Sequence, residues 1–123
     1  MASLRDLVHL VQATPGVAGA AVVGRDGLVI DVAGLDAGTA DHVAALAPGL
    51  VAAAEMVSDA AAAGVVRAVA IEGARGVLLA MPLSGEVTLV AALEGAADDA
   101  GARTGEALHA LRRARGEYAA GLA

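Results

Sequence analysis

The stretch that decides the fold is residues 20–30, AAVVGRDGLVI. Two apolar runs, Val17–Val23 and Leu28–Val32, lie on either side of the segment Gly24-Arg25-Asp26-Gly27. Short apolar runs that are separated by a loop ending in Asp-Gly are typical of a β-hairpin. The sequence therefore predicts two antiparallel strands near its beginning.

A helix is predicted immediately before this hairpin, from Ser3 to about Ala13. Ser3 is expected to cap it, with Asp6 completing a capping box, and Thr14-Pro15-Gly16 is expected to end it. Four apolar residues recur there at i, i+3, i+4 and i+7 and so share one helical face: Leu4, Leu7, Val8 and Val11.

A second, longer helix is predicted after the hairpin, over Ala40–Ala63. Asp36 or Thr39 is its expected cap, and Gly64 its expected stop. Pro48 lies inside the pattern, so the alternatives are one kinked helix or two helices broken at the proline. One kinked helix is preferred because an apolar face keeps its phase across the proline, through Val43, Leu46, Ala47, Leu50, Ala54 and Val57.

Three further strands and a last helix complete the pattern. The strands are predicted at Val65–Glu72, Val77–Met81 and Val87–Leu93, and the helix at about Asp98–Ala120. Four-residue turns join the three strands, and connections this short make neighbouring strands antiparallel.

The predicted order is helix, strand, strand, helix, strand, strand, strand, helix, in a single domain over residues 1–123. Three of the strands are apolar on both sides, whereas a sheet with one wet face should alternate: Ala20–Val23, Val77–Ala80 and Leu89–Leu93. Helices are therefore expected on both faces. The predicted fold is α/β (α+β), with a five-stranded, mostly antiparallel sheet between helices.

The second helix has an unusual face on the side away from the sheet. Half of that face is small and apolar, and no further element of so short a chain remains to cover it: Asp41, Ala45, Pro48, Ala52, Glu55, Met56 and Asp59. We interpret the face as the contact with a second copy of the chain across a two-fold axis. The alternative is that these alanines only reflect an Ala-rich composition.

Composition excludes several classes of function. The 123 residues are 58% hydrophobic and 1% aromatic, with no Cys, and the net charge is −6. Disulfide scaffolds, thiolate zinc sites and base stacking are therefore excluded, and nucleic acid is not an expected partner. The longest uncharged helical stretch, Val43–Ala54, is shorter than the roughly 20 residues of a membrane span, and no signal peptide is evident. We expect a cytoplasmic protein with no membrane insertion and no cofactor.

Candidate catalytic residues are sparse. The three histidines lie on different predicted helices without a second ligand at metal spacing: His9, His42 and His109. No nucleophile elbow surrounds Ser3, Ser58 or Ser84, and the pair Asp98-Asp99 suits a helix start. One catalytic idea is left, an arginine finger at a turn tip, Arg25 or Arg75. The interpretation that these arginines are solvated is preferred, and we do not expect an enzyme.

The chain resembles the roadblock family, which has a profilin-like fold. The resemblance lies in the helix from Leu4 that ends in Thr14-Pro15-Gly16-Val17, in the hairpin at residues 20–30, and in Glu72-x-x-x-Gly76-x-Leu78-Leu79-Ala80-x-Pro82-Leu83. It extends to about Tyr118. The family includes the roadblock light chains of dynein and the MglB group of bacterial GTPase regulators.

The resemblance implies a homodimer in which third strands pair edge to edge and second helices pack together. It also implies a small Ras-like GTPase as partner, to which the family supplies no catalytic residue. With the apolar face of the second helix, it predicts a dimer interface at Ala45, Ala52, Met56, Val65, Arg67, Val69 and Ile71. The residues predicted to bind the GTPase are Asp41, Glu55 and Asp59.

Two other functions stay open at this stage. A dimeric scaffold or adaptor would tether proteins without altering GTP hydrolysis. A small-molecule sensing module of the related profilin-like folds would need a polar-lined pocket, which the nearly aromatic-free sequence does not indicate.

Overall fold

The computed structural model describes residues 3–94 and 100–121, with the side chains of the last helix from residue 104 on. The elements are α1 (Leu4–Gln12), β1 (Val17–Gly24), β2 (Val29–Ala33), α2 (Ala37–Ala60), β3 (Val69–Gly73), β4 (Gly76–Pro82), β5 (Val87–Glu94) and α3 (Ala100–Gly121). The predicted order is confirmed. The pair Asp98-Asp99 lies outside the described residues.

The sheet has five strands in the order β2-β1-β5-β4-β3, and every neighbouring pair is antiparallel. In the hairpin predicted at residues 20–30, Gly27 has a φ of 81° and the Asp26 carboxylate accepts the Leu28 N–H at 3.1 Å. A positive φ costs glycine little, so the Asp-Gly pair turns the chain as predicted. The long connection through α2 leaves β2 and β3 at the two edges of the sheet.

Helices cover both faces of the sheet, which confirms the three-layer prediction. Along β1, alternate residues point to opposite sides, so Val22 packs in the core under α1 and α3, whereas Val23 packs in the core under α2. The first core is built from larger side chains, among them Leu7, Leu79, Met81, Leu89 and Leu111. Ala44 and Ala47 are the fully buried residues that α2 adds to the second core.

Helix ends follow local hydrogen bonding. The Ser3 hydroxyl accepts the Asp6 N–H and the Asp6 carboxylate accepts the Ser3 N–H, both at 3.1 Å, so the predicted capping box is present. Asp36, not Thr39, caps α2, because its carboxylate accepts the Thr39 N–H at 2.9 Å. That choice starts α2 three residues earlier than predicted. Pro48 lies inside one continuous helix, as preferred over two.

The end of α2 also differs from the prediction. The helix ends at Ala60, because Ala62 and Gly64 have positive φ angles of 55° and 90° that no helix continues. The Ser58 hydroxyl donates to the Gly64 carbonyl oxygen at 2.6 Å and holds the chain in this turn. The connection between α2 and β3 is therefore longer than predicted.

Strand β3 begins at Val69, whereas the sequence predicts Val65. Residues along β4 bond alternately to β5 and to β3. The Leu83 N–H donates to the Val87 carbonyl oxygen at 2.9 Å. The backbone groups of odd-numbered residues in β4 therefore hydrogen-bond to β5, and those of even-numbered residues hydrogen-bond to β3. After the pair Val69–Ala80, the next such pair would join Arg67 to Pro82, and proline has no N–H to donate. The ladder stops there, so Val65 and Arg67 lie outside the strand.

Candidate interaction surface

The solvent side of α2 is almost entirely apolar. Counted at 100° per residue from His42 onward, one arc of the helix collects exposed residues of which His42 is the one polar member, and the exposed Thr39 precedes them on the same side. We call this arc the α2 outer face, and it consists of His42, Ala45, Leu46, Gly49, Ala52, Ala53, Met56, Val57 and Ala60. Three large side chains stand out from it: Leu46 and Met56 are 73% exposed and Val57 is 69% exposed.

The predicted dimer residues of the helix, Ala45, Ala52 and Met56, all lie exposed on the α2 outer face. The prediction is wrong for Leu46 and Val57, which it places on the sheet-facing side of α2, because both side chains are exposed. The buried stripe is centred on Ala40, Ala44 and Ala47 instead. Small residues lie against the sheet because they let the helix approach closely. The sequence pattern does not predict which side of α2 faces the sheet, because pattern rules place the larger apolar residues in the core.

Three carboxylates border the α2 outer face along one side. Asp41 and Asp59 fall at the same angle around the helix, and Glu55 lies about 40° away. All three side chains are exposed. The helix contains no Arg or Lys, so its own contribution to this border is purely acidic, and Arg25 of the β1–β2 turn lines a pocket beside Glu55.

The free edge of β3 lies on the same half of the molecule. Val69, Ile71 and Gly73 face β4, so the backbone N–H and C=O groups of Ala70 and Glu72 point away from the sheet. The Val69 side chain packs against the core under α2. Ile71, two residues later, points to the same face of the sheet and is 44% exposed. The predicted interface residues Val69 and Ile71 therefore lie beside the helix that carries Ala52 and Met56.

The opposite edge of the sheet is protected. A bulge between Val22 and Val23 breaks the register with β2, and the Asp31 carboxylate accepts the Val32 N–H at 2.9 Å. Bulges and charges on edge strands discourage pairing with another chain. Strand β3 also carries a charge, Glu72, but no bulge interrupts its register with β4, so it is the edge that the fold leaves more available.

A broad groove of about 1150 Å³ runs between the end of α2 and the start of β3. Its walls are mostly apolar, from Leu50 and Val57 to Val65, which is 89% exposed, and they include the side of β3. Arg67 and Arg112 are the charged residues of its lining. The groove continues the α2 outer face and adds no acidic group to it.

The candidate catalytic residues named from the sequence do not form a common site. His9, His42 and His109 are exposed on three different helices, and the described residues contain no group of three or more His, Asp or Glu that would suit a metal. Ser3 is a cap, Ser84 accepts the Glu86 N–H in its turn, and Ser58 donates to Gly64. Arg75 is exposed at the β3–β4 turn, and Arg25 lies 3.9 Å from Glu86 across two exposed loops.

Among the described residues, two carboxyl groups have lowered pKa values, and both belong to the hydrogen-bonded start of a helix, Asp6 in the capping box of α1 and Asp36 as the cap of α2. Hydrogen bonding from the backbone N–H of Ser3 lowers the pKa of Asp6, and hydrogen bonding from the backbone N–H of Thr39 lowers the pKa of Asp36. A lowered carboxyl pKa favours the charged, accepting form that a cap needs. Neither group faces the α2 outer face or the groove.

The comparisons with known proteins agree on one fold. A family model described as Roadblock/LC7 domain matches residues 4–93, whereas none of the curated proteins matches at a significant level. The crystal structure of a Roadblock/LC7 domain from Streptomyces avermitilis is 31% identical, covers 93% of this chain and 96% of its own, and superposes with a TM-score of 0.71.

Two more distant structures have the same fold. Myxococcus xanthus MglB is 18% identical and superposes with a TM-score of 0.77 over 93% of this chain and 89% of its own. The gliding protein MglB of Thermus thermophilus is also 18% identical, with a TM-score of 0.67 over 91% of this chain and 87% of its own.

Proposed function

The chain belongs to the Roadblock/LC7 domain family, as its resemblance predicted, and on that premise we propose that it is a homodimeric, non-enzymatic regulator of a small Ras-like GTPase in the cytoplasm. The observation that carries the proposal is the α2 outer face, an exposed apolar surface on a helix that already uses its other side in the core. Protein surfaces of this kind mark sites of association.

A second copy is the occupant that best fits this face. Fully burying a side chain the size of Leu, Met or Val is worth about 1.5–3 kcal/mol, and Leu46, Met56 and Val57 are all exposed. Small neighbours such as Ala45, Gly49 and Ala52 let a second helix approach closely. An antiparallel copy of α2 would place the same face against itself, as a two-fold interface requires.

The edge of β3 adds a second contact to the same dimer. Ala70 and Glu72 present unpaired backbone groups, and Ile71 is exposed beside them on the α2 side of the sheet. Pairing with the β3 edge of a copy would satisfy those groups and cover Ile71. An open strand edge that stayed uncovered would be a hazard for aggregation.

A lipid bilayer is the competing occupant. By length and composition alone, α2 is the one helix among the described residues that is long and apolar enough to cross a membrane. It has 24 residues, and its mean hydropathy over an 18-residue window is 1.4. However, Ala40, Ala44 and Ala47 of α2 are buried against the sheet, and removing the helix into lipid would expose Ala21, Val23, Ala80 and Val90. We therefore propose that the helix stays on the sheet and that protein covers its outer face.

The acidic border suits the GTPase. Asp41, Glu55 and Asp59 would remain at the rim of the dimer and attract a basic surface of the partner. Regulation would then act by conformation, with the dimer binding one arrangement of the nucleotide loops more tightly than another. Arg25 lies beside this border, where it lines a pocket with Ala52 and Glu55 and stands near Glu86. Because the resemblance implies that the family supplies no catalytic residue, no arginine finger is part of the proposal.

Two measurements test the proposal. Sedimentation at micromolar concentration should give a dimer, and a monomer would contradict the first half. Single-turnover GTP hydrolysis should then be measured with the Ras-like GTPase encoded nearest to this protein, with and without the dimer. A changed rate supports regulation, and loss of the change in the triple variant Asp41→Ala, Glu55→Ala, Asp59→Ala supports the acidic rim. Binding without any change in rate would favour the scaffold or adaptor instead, and no binding would refute both.

A further inference from the structure

One hydrogen bond joins the last helix to the chain just before β3. The Arg115 guanidinium of α3 donates to the carbonyl oxygen of Arg67 at 2.8 Å, across 48 positions of sequence. We infer that Arg115 is a positioning residue, which sets the start of β3 and thereby holds the edge that a second copy would meet. The part that concerns self-association rests on the proposed function.

The geometry of the sheet shows why Arg67 needs this donor. Even-numbered residues of β4 face β3, and the even-numbered residue opposite Arg67 is Pro82. A proline cannot donate, so the Arg67 carbonyl would lack the partner that every earlier pair of the ladder supplies. The Arg115 guanidinium donates to that carbonyl instead, and it reaches there from another layer of the structure.

The segment before β3 is held at two points. The Ser58 hydroxyl holds Gly64 at one end, and Arg115 holds Arg67 at the other. Ala62 and Gly64 have positive φ angles at the first of these points, a conformation that an alanine adopts only at a cost in free energy. Val65 projects from the middle of the segment almost fully exposed. Without Arg115, only the hydrogen bond at Gly64 and the packing of Ala68 against the first core would hold the segment, and the first pair of β3 would open more often.

Placing an arginine at position 115 costs free energy. Its side chain is half-buried, and its Nε is buried with no hydrogen-bond partner among the described residues. A buried donor without an acceptor costs free energy that an apolar side chain of similar length would not. The bond to the Arg67 carbonyl is the interaction that offsets this cost, because a charged donor makes a stronger hydrogen bond than a neutral one.

The effect on association would come through preorganisation. Ala70 follows Val69 directly and Glu72 lies three residues after it, so their outward backbone groups are best aligned while the start of β3 is held. A partner that meets an already ordered edge loses less conformational entropy on binding. Arg115 would therefore strengthen a dimer even though it contributes nothing to the α2 outer face.

The test is a set of variants read by hydrogen exchange and by the dimer dissociation constant. Arg115→Ala should speed exchange of the Val69 amide about tenfold and weaken the dimer by a similar factor. Arg115→Lys, which keeps a charged donor, should recover part of both. Arg113→Ala removes the same charge from an exposed position of the same helix, and it should change neither by more than twofold.

The decisive variant restores the missing donor in the strand. Pro82→Ala gives β4 an amide that faces Arg67, so Arg115→Ala should have a much smaller effect on exchange in that background than in the original chain. Equal effects in both backgrounds would overturn the inference, as would an Arg113→Ala variant that behaves like Arg115→Ala. If Arg115→Ala alone does not fold, Arg115→Lys with and without Pro82→Ala makes the same comparison. A monomeric wild type would refute the proposed dimer, whereas the exchange data would still decide the role of Arg115.

Discussion

Met56 is the residue through which the α2 outer face can be tested most directly. In a two-fold dimer formed through the α2 outer face it would occur twice in the interface, so Met56→Glu would bury two carboxylates against apolar surface. We expect the dissociation constant to rise at least about a hundredfold, since roughly 3 kcal/mol is lost over both copies. Sedimentation velocity over a range of concentrations measures it.

Leu28 offers a matched control for this substitution. It is an exposed large apolar residue, 65% accessible, but it lies at the hairpin before β2 rather than on α2. Leu28→Glu adds the same charge on the hairpin, which packs against Ala45 through Gly27 at the rim of the α2 outer face, and it should leave the dissociation constant within about threefold. Equal weakening by both variants would mean that added negative charge, and not the α2 outer face, is responsible.

The caps of α1 and α2 predict a loss of stability in acid. Hydrogen bonding from the Thr39 N–H lowers the pKa of Asp36 below its ordinary value of 3.8, so the folded state holds the carboxylate more strongly than the unfolded chain does. The stabilisation is complete above that ordinary value and is lost as the pH falls through the lower, folded pKa. Asp6 behaves in the same sense.

Asp36→Asn separates the charge from the cap, because the amide oxygen still accepts a hydrogen bond. Thermal unfolding between about pH 6 and pH 2 should show a smaller loss of stability in this variant than in the wild type. Asp36→Ala should be less stable than Asp36→Asn at every pH. A wild type and an Asp36→Asn variant with parallel pH profiles would contradict the assignment of the acid-sensitive charge to Asp36.

At the level of elements, the free edge of β3 predicts how two copies would align. Only registers that pair outward-facing residues of one copy, such as Ala70 and Glu72, with outward-facing residues of the other satisfy these backbone groups. Centring the pairing on Ala70 sets Ile71 opposite the partner's Val69 twice, whereas centring it on Ile71 sets Val69 opposite the partner's Gly73. Cross-strand pairs of β-branched residues stabilise a sheet, so we expect the Ala70-centred register.

Single cysteines can distinguish these registers, because the chain has no Cys of its own. Two Cys form a disulfide when their Cα atoms are about 4.4–6.8 Å apart. Ala70→Cys should therefore cross-link under mild oxidation far faster than Ile71→Cys. The reverse order would indicate the Ile71-centred register, and no cross-link at either position would refute edge pairing.

The strands and helices were predictable from the sequence to the extent that local pattern determines them. The hairpin at residues 20–30 has its own turn residues, and α1 has its own capping box, so both were located to within about a residue. The start of β3 was wrong because the obstacle, Pro82, lies on the neighbouring strand, and no periodicity around Val65 reveals it. Leu46 and Val57 were placed on the wrong side of α2 because pattern rules give large residues to the core.

At the scale of the whole molecule, the chemistry that the sequence lacks and the surface that the structure shows have a common explanation. A chain without Lys or Cys and with one aromatic residue has few means of catalysis, yet it keeps an apolar helix face exposed. The edge at β2 is interrupted by a bulge, whereas the edge at β3 is regular and lies on the same half of the molecule as the α2 outer face. The proposed function follows from that asymmetry rather than from any single residue.

The stability of the whole molecule should therefore depend on its concentration. If folding is coupled to dimer formation, mass action raises the unfolding midpoint as protein is added. A tenfold increase in concentration is worth about 1.4 kcal/mol per mole of dimer, which corresponds to a few degrees for a protein of this size. Calorimetry at three concentrations a decade apart should show this rise for the wild type and for Leu28→Glu, but not for Met56→Glu. A midpoint that is independent of concentration in the wild type would mean that the α2 outer face is exposed in the native state. In that case, flotation with lipid vesicles would be the next measurement.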